Sequence, residues 1–188
     1  MLFYLNNPRQ PAPDLSTRHV PVTYHDTYNG LQLSLRRGKA EFLNHLFIHM
    51  RQDYDVAVWS QLNNDFTNDL CHKYFTRYYR DLLFIMGTNR ALYGDQPLHQ
   101  PIKIRKELTG VFNRFPCYDQ GNTVVVSAEP NLIEAHIRND LIVPEYSPSN
   151  PDFTQDPGLT ALAKYLEGLV IIKEESGISD IRRVLKAK

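Results

Sequence analysis

Two histidines at helical spacing are the first candidates for metal chemistry in this sequence. His45 and His49 lie four residues apart, a spacing that can place two imidazoles on one helix face for zinc. Zinc sites of this kind carry a glutamate directly after the first histidine, whereas Leu46 follows here. The pattern therefore favours a solvated helix face over a metal centre.

The two cysteines, Cys71 and Cys117, are too few for a disulfide framework or for a zinc site with four cysteine ligands. Cys71 and His72 are adjacent, and adjacent side chains on a helix point apart, which argues against a thiolate–imidazolium pair. Because free cysteine is usually buried and inert, we predict two reduced and mostly buried thiols.

Cations alternate with aromatic side chains over residues 73–80. Such a run can stack bases or hold phosphates, and it can equally form a strand with one buried face, which we favour. If the chain binds RNA, we expect Arg77 and Arg80 to face phosphates, together with Arg182 and Arg183 near the C-terminus.

The composition limits the class of protein. The chain has 188 residues, with 21 basic and 21 acidic side chains and zero formal net charge, which argues against a surface built throughout for nucleic acid. An apolar fraction of 42% is enough for one ordinary core. Apolar runs such as Leu169–Ile172 are far shorter than the roughly 20 residues of a membrane span. The N-terminal residues resemble neither a signal peptide nor a mitochondrial presequence.

Hydrophobic periodicity predicts alternating strands and helices. The predicted strands are residues 2–5, 31–36, 54–59, 122–127 and 141–143. The predicted helices begin after Gly38, at Asn63 or Asn64, at Pro130 and at Asp156-Pro157. Ser176-Gly177 is expected to end the last of these, and residues 75–108 to form strand pieces and loops.

This order predicts one α/β domain over residues 1–172, with a basic amphipathic tail helix at 173–188. Asn29-Gly30 is a turn signal for a hairpin within the Pro-rich segment 8–30. The fold class is a Rossmann-like, doubly wound, mainly parallel sheet with helices on both faces. Because sites in such folds lie at the carboxyl ends of strands, we examine the residues after Leu5, Trp59 and Val126.

Several segments carry a resemblance to one family. They are Leu35–Leu43 with its Arg36-Arg37-Gly38, Tyr54–Ser60, Arg105–Leu108, Val124–Pro130 and Leu141–Pro144. In this order they resemble the NLI-interacting-factor phosphatases of the haloacid-dehalogenase superfamily. Members act on the C-terminal domain of RNA polymerase II, and a related domain is the receptor subunit of the mitochondrial presequence translocase.

The resemblance implies an aspartate nucleophile at the end of the first strand, a second aspartate two residues later, and a magnesium ion held by carboxylates. The matching positions here are Tyr4 and Asn6, and the acidic pair after the later strand is replaced by Ser127 and Ala128. Ser60 remains as a hydroxyl for a phosphate oxygen, and Lys106 as its cation. These substitutions predict no covalent intermediate, no metal and no cofactor.

Other carboxylates could replace the missing nucleophile. Asp14 follows a segment that is no strand, and Asp26 follows Val22–Tyr24, but both lack the paired acid. Glu129 could be a displaced ligand, although one lone carboxylate is usually solvated surface. An active magnesium-dependent phosphatase with a rearranged motif therefore remains the alternative from another class.

We therefore expect a catalytically inactive pseudophosphatase that acts as a structural, protein-binding subunit of a larger assembly. The resemblance to the translocase receptor makes a mitochondrial setting the expected one. An aromatic content of 11% suits a protein with a sizeable contact surface. An RNA-associated subunit, for example of a ribosomal assembly, is a further alternative.

Overall fold

A computed structural model describes residues 3–6, 25–28, 31–36, 38–60, 62–87, 108–128, 139–146 and 157–185. The chain divides into two compact units. Unit 1 comprises Met1–Phe42 with Arg105–Lys188, and unit 2 comprises Leu43–Ile104. Each unit is described by itself below.

Unit 1 begins with an antiparallel sheet of β1 (Phe3–Asn6), β2 (His25–Tyr28) and β3 (Leu31–Leu35), in the order β1-β3-β2. Tyr28 pairs with Leu31, so two residues connect β2 to β3, as the Asn29-Gly30 signal predicts. β1 differs from the prediction, because it pairs antiparallel with β3 and not within a parallel sheet. A four-residue apolar strand carries no pattern that selects the direction of its partner.

Helix α1 (Lys39–Asn44) follows Gly38, whose φ of +76° is a conformation that glycine adopts without strain. A π-helical turn over His45–His49 continues it, with the Met50 amide donating to the His45 carbonyl at 3.1 Å. The apolar residues of this segment fall at helical spacing and are all buried: Phe42, Leu43, Leu46, Phe47 and Met50.

Unit 2 contains a parallel pair, β4 (Val56–Trp59) and β5 (Leu82–Met86), with α2 (Asn64–Phe75) between them in the chain. A 3₁₀ helix over Thr76–Asp81 follows α2 directly. The prediction of a strand over residues 73–80 is therefore wrong. Tyr74, Phe75 and Tyr78 are buried whereas Thr76 is exposed, a pattern typical of a helix. A strand with one buried face would bury Thr76 together with Tyr74 and Tyr78.

The remaining elements belong to unit 1. Helix α3 (Leu108–Arg114) precedes β6 (Val125–Ser127), which pairs in parallel with β7 (Asp140–Ile142). Helix α4 (Gly158–Ser176) buries Leu159, Leu162, Leu166 and Leu169. Periodicity predicts this face together with Tyr165, which is only half-buried. Burying each leucine favours folding by about 1.5–3 kcal/mol.

The ends of α4 agree with the prediction at one terminus only. Gly177, with φ of +62°, ends the helix as expected. The sequence Asp156-Pro157 predicts that Asp156 caps the helix and that Pro157 is its first residue. Pro157 is instead the N-cap, and its carbonyl accepts from the Ala161 amide at 2.7 Å. Helix α4 also continues through the predicted boundary at residue 172, and the tail helix α5 is short (Arg182–Leu185).

The structure is thus of the α/β class, with helices and small parallel sheets. The predicted helix at Pro130 lies outside the described residues. Within the part of the chain that the structure describes, no helix has the length and apolar character needed to cross a bilayer.

Candidate functional site: three strand ends

Ser60 lies directly after β4, at the carboxyl end that sequence reasoning selects. Its backbone amide donates to the Met86 carbonyl at 2.8 Å, which extends the pairing of β4 with β5. Its hydroxyl oxygen accepts from the Leu62 amide at 3.0 Å. The hydroxyl is therefore built into the turn that leads from β4 into α2.

The N-terminus of α2 is capped by side-chain amides. Asn63 accepts from the Phe66 amide at 2.8 Å, and the Thr67 hydroxyl donates to the Asn63 carbonyl at 2.8 Å. Asn64 accepts from the Gly87 amide at 2.7 Å. The contact from Phe66 satisfies a donor that a helix start otherwise leaves open, and the three contacts together fix the start of α2 next to Ser60. The prediction that Asn63 or Asn64 caps this helix is confirmed, with Asn63 as the cap.

Ser127 is the last residue of β6, and Ala128 follows it. Both are half-buried. The Ser127 carbonyl accepts from the Val143 amide at 2.8 Å, which continues the pairing with β7. A hydroxyl and a methyl group at this strand end supply no anionic oxygen, whereas Mg²⁺ prefers carboxylates and phosphates. The donor set at Ser127 and Ala128 therefore does not fit a magnesium site.

Tyr4 and Asn6 both lie in β1, paired with Ser34 and Gln32 of β3. A phenol and a carboxamide cannot form an acyl-phosphate or exchange a proton near neutral pH. Asp26 lies in β2, where it pairs with Leu33. Asp14, Lys106 and Glu129 lie outside the described residues.

The predicted positions are therefore distributed over different sheets. β1, with Tyr4 and Asn6, belongs to the antiparallel sheet, and β6, which ends at Ser127, belongs to a parallel pair. Ser60 belongs to unit 2. Asn6, Ser60 and Ser127 each stand at or just after a strand end, as predicted.

Two buried polar side chains in unit 1 were not selected by sequence reasoning. Arg36 is only 2% exposed, donates from Nη1 to the Pro144 carbonyl at 3.4 Å, and lies 5.7 Å from the centre of the Tyr146 ring. Asn139 is 1% exposed and donates from Nδ2 to the carbonyls of Gln120 and Thr123. Arg36 ties the chain after β7 to the end of β3. The sequence does not indicate this burial, because arginine is an exposed residue in most proteins.

The histidine pair and the two cysteines remain to be placed. The His45 and His49 rings lie 5.5 Å apart, and among the described residues no group of three or more His, Cys, Asp or Glu side chains could hold a metal ion. Cys71 is buried as predicted, whereas Cys117 is exposed, so the prediction of a second buried thiol is wrong. Apolar burial raises the pKa of the Cys71 thiol to about 11.

The arginines proposed for RNA contacts differ in their surroundings. Arg77 donates to Asn44 Oδ1 at 2.8 Å and to the Tyr78 hydroxyl at 2.6 Å. Arg182 is held by Asp180 and Gln120. Arg80 and Arg183 are exposed.

Comparison with known proteins identifies the family of this chain. No curated protein sequence matches the chain. The sequence profile of a family described as NLI interacting factor-like phosphatase matches residues 2–181, and this span includes the three strand ends described above. Because the match covers nearly the whole chain, the protein belongs to the NLI interacting factor-like phosphatases, a haloacid-dehalogenase-like family.

Proposed function

We propose that this member of a phosphatase family is a catalytically inactive pseudophosphatase, and that it serves as a structural, protein-binding subunit of a larger assembly. The observation that carries the proposal is the chemistry at the ends of β1 and β6. Tyr4 and Asn6 stand at the first position, and Ser127 and Ala128 at the second, so four side chains supply no carboxylate.

Loss of these carboxylates removes two functions together. Without an aspartate nucleophile no aspartyl-phosphate forms, and loss of a nucleophile alone lowers a rate by several orders of magnitude. Without carboxylates beside it, a magnesium ion has no anionic ligands from the protein. At the third strand end, Ser60 forms part of a turn and Asn63 caps α2. These contacts stabilise the local fold whether or not the chain catalyses a reaction.

We infer that each parallel pair, β4 with β5 and β6 with β7, is part of a doubly wound arrangement. In unit 2 the chain passes from β4 through α2 to β5 and returns in parallel, which is the connection from which such folds are built.

A phosphatase assay tests the loss of activity. The purified chain is incubated with p-nitrophenyl phosphate, in one sample with Mg²⁺ and in another with EDTA. We expect p-nitrophenol to form in both samples no faster than without protein. Addition of Mg²⁺ should also leave the unfolding temperature unchanged, because a bound ligand would raise it. Magnesium-dependent turnover that disappears in Asp14→Asn or Asp26→Asn would establish the rearranged active site instead.

Isolation of the protein together with its bound partners tests the binding role. We expect the tagged chain, isolated from its own cells at moderate salt, to elute in a complex well above 21.8 kDa with a defined set of proteins. Fluorescence microscopy of the tagged chain tests the mitochondrial setting. An assembly dominated by RNA, with affinity for the purified chain that falls steeply with salt, would favour the RNA-associated role.

A further inference from the structure

The chain reverses direction after α4 and returns to unit 1. Gly177, in the left-handed conformation, ends the helix, and residues 178–185 then run to the turn of residues 117–122 between α3 and β6. We call residues 178–185 the strap and residues 117–122 the α3–β6 turn. The Ile181 amide donates to the Gly121 carbonyl at 2.7 Å, and the Ile181 side chain is buried.

Arg182 fastens the strap through its guanidinium. Nε and Nη2 donate to the two carboxylate oxygens of Asp180 at 2.8 and 2.7 Å, and Nη1 donates to Gln120 Oε1 at 2.6 Å. A paired contact of this kind fixes the orientation of the planar group, so the third donor is aimed at the turn. Gln120 is therefore held from the strap side.

Asn139 also holds this turn. Its Nδ2 donates to the backbone carbonyls of Gln120 and Thr123 at 2.7 and 2.8 Å. Its backbone carbonyl accepts from the Val125 amide at 2.7 Å. Val125 is the first residue of β6. A continuous set of hydrogen bonds thus connects the strap, the turn and the start of the strand that ends at Ser127.

A groove of about 580 Å³ is lined by residues of the strap and the turn, among them Asp119, Gly121 and Ser179. Of residues 178–185, all of which the structure describes, Ile181 alone is buried, and the others are half-buried or exposed. Segments held by few buried contacts open at a lower free energy than a packed core does. The family match ends at residue 181, so Arg182 lies just beyond it.

We propose that the strap is a conformational latch, which orders the α3–β6 turn and the start of β6 when closed and frees the turn when it swings about Gly177. The closed state requires Arg182 to hold Gln120. This inference does not depend on the absence of phosphatase activity, since none of its residues lies at a strand end of the candidate site.

Hydrogen exchange of the full chain tests the latch with two adjacent arginines. Arg182→Gln removes the paired contact and the correct geometry towards Gln120, whereas Arg183→Gln changes an exposed neighbour with the same loss of charge. In Arg182→Gln we expect the amides of residues 118–122 and Ile181 to exchange about tenfold faster. In Arg183→Gln they should exchange at the rate of the unchanged chain.

A second variant separates the latch from general stability. Asp180→Asn leaves Arg182 in place but removes its carboxylate partner, and it should accelerate the same amides in the same direction. Rates in α2 of unit 2 should stay unchanged in all three variants. Unchanged exchange in Arg182→Gln, equal acceleration by Arg183→Gln, or acceleration that extends to α2 would each overturn the proposal.

Discussion

The backbone amide of Gly87 donates to Oδ1 of Asn64 at 2.7 Å and so joins the end of β5 to the first turn of α2. The approach is close enough that a Cβ on Gly87 would lie only 2.6 Å from the Asn63 carbonyl oxygen. This atom belongs to the backbone, which cannot rotate away as a side chain can. Glycine is therefore required at this point for steric reasons.

Gly87→Ala should accordingly destabilise the protein. We expect a loss of about 2–3 kcal/mol in the free energy of unfolding, because the added methyl group forces the α2 loop away from β5. Urea unfolding followed by circular dichroism measures it. Gly168→Ala is the control, since a Cβ there meets nothing within 4 Å and alanine favours a helix by about 1 kcal/mol. An equal response of the two variants would contradict the packing at Gly87.

The cap of α2 gives a separate prediction. Asn63→Ala removes the oxygen that accepts from the Phe66 amide and should lower the free energy of unfolding by about 1 kcal/mol. Asn63→Asp keeps an acceptor at the same place and should retain most of the stability. The two midpoints of urea unfolding are compared. If alanine and aspartate behave alike, the cap does not contribute.

The elements that sequence reasoning located correctly have strong local signals. Asn29-Gly30 fixes a two-residue connection, Gly177 supplies a positive φ at a helix end, and Asn63 supplies a capping oxygen. In each case the determinant lies within a few residues of the feature. Local chemistry is sufficient there.

The failures concern partners that are distant in the sequence. β1 is too short and too uniform to encode the direction of its neighbour, and it pairs with β3 about 30 residues later. The burial of Arg36 depends on Pro144 and Tyr146, 108 residues away in the case of Pro144. The exposure of Cys117 likewise depends on where the α3–β6 turn lies. The sequence therefore gives the residue types at the candidate site, but it does not predict which strands and side chains come together there.

The paired contact between Asp180 and Arg182, called the fork below, predicts that the latch stays closed at mildly acidic pH. The hydrogen bonds from Arg182 lower the pKa of Asp180 to about 2 from an ordinary 3.8. Because the folded pKa is the lower one, the contribution is complete above about pH 4 and is lost as the pH falls towards 2. After correction for intrinsic exchange, the Ile181 amide should be equally protected at pH 7 and pH 4. Loss of its protection at pH 4, with unit 2 intact, would contradict the fork.

The two thiols should differ in reactivity. Burial raises the pKa of Cys71 to about 11, so its reactive thiolate is scarce near neutral pH, whereas Cys117 is exposed. One thiol per folded chain should react promptly with Ellman's reagent at pH 7.5, and the second only in denaturant. Cys117→Ser should remove the prompt reaction and Cys71→Ser should keep it. Prompt reaction of both thiols in the folded chain would refute the burial of Cys71.

Helix α4 allows a matched test of buried and exposed positions on one element. Leu169 is 2% exposed and lies on the face formed with Leu162 and Leu166, whereas Ile172 is 41% exposed. Leu169→Ala should lower the free energy of unfolding by about 2–5 kcal/mol, because it removes buried methyl groups and leaves a cavity. Ile172→Ala should change it by no more than about 0.5 kcal/mol. The difference follows from burial alone, since both positions lie in the same helix and both variants increase helix propensity. Urea unfolding of the two variants decides the matter, and a loss at Ile172 as large as that at Leu169 would mean that the exposed side of α4 is covered in solution.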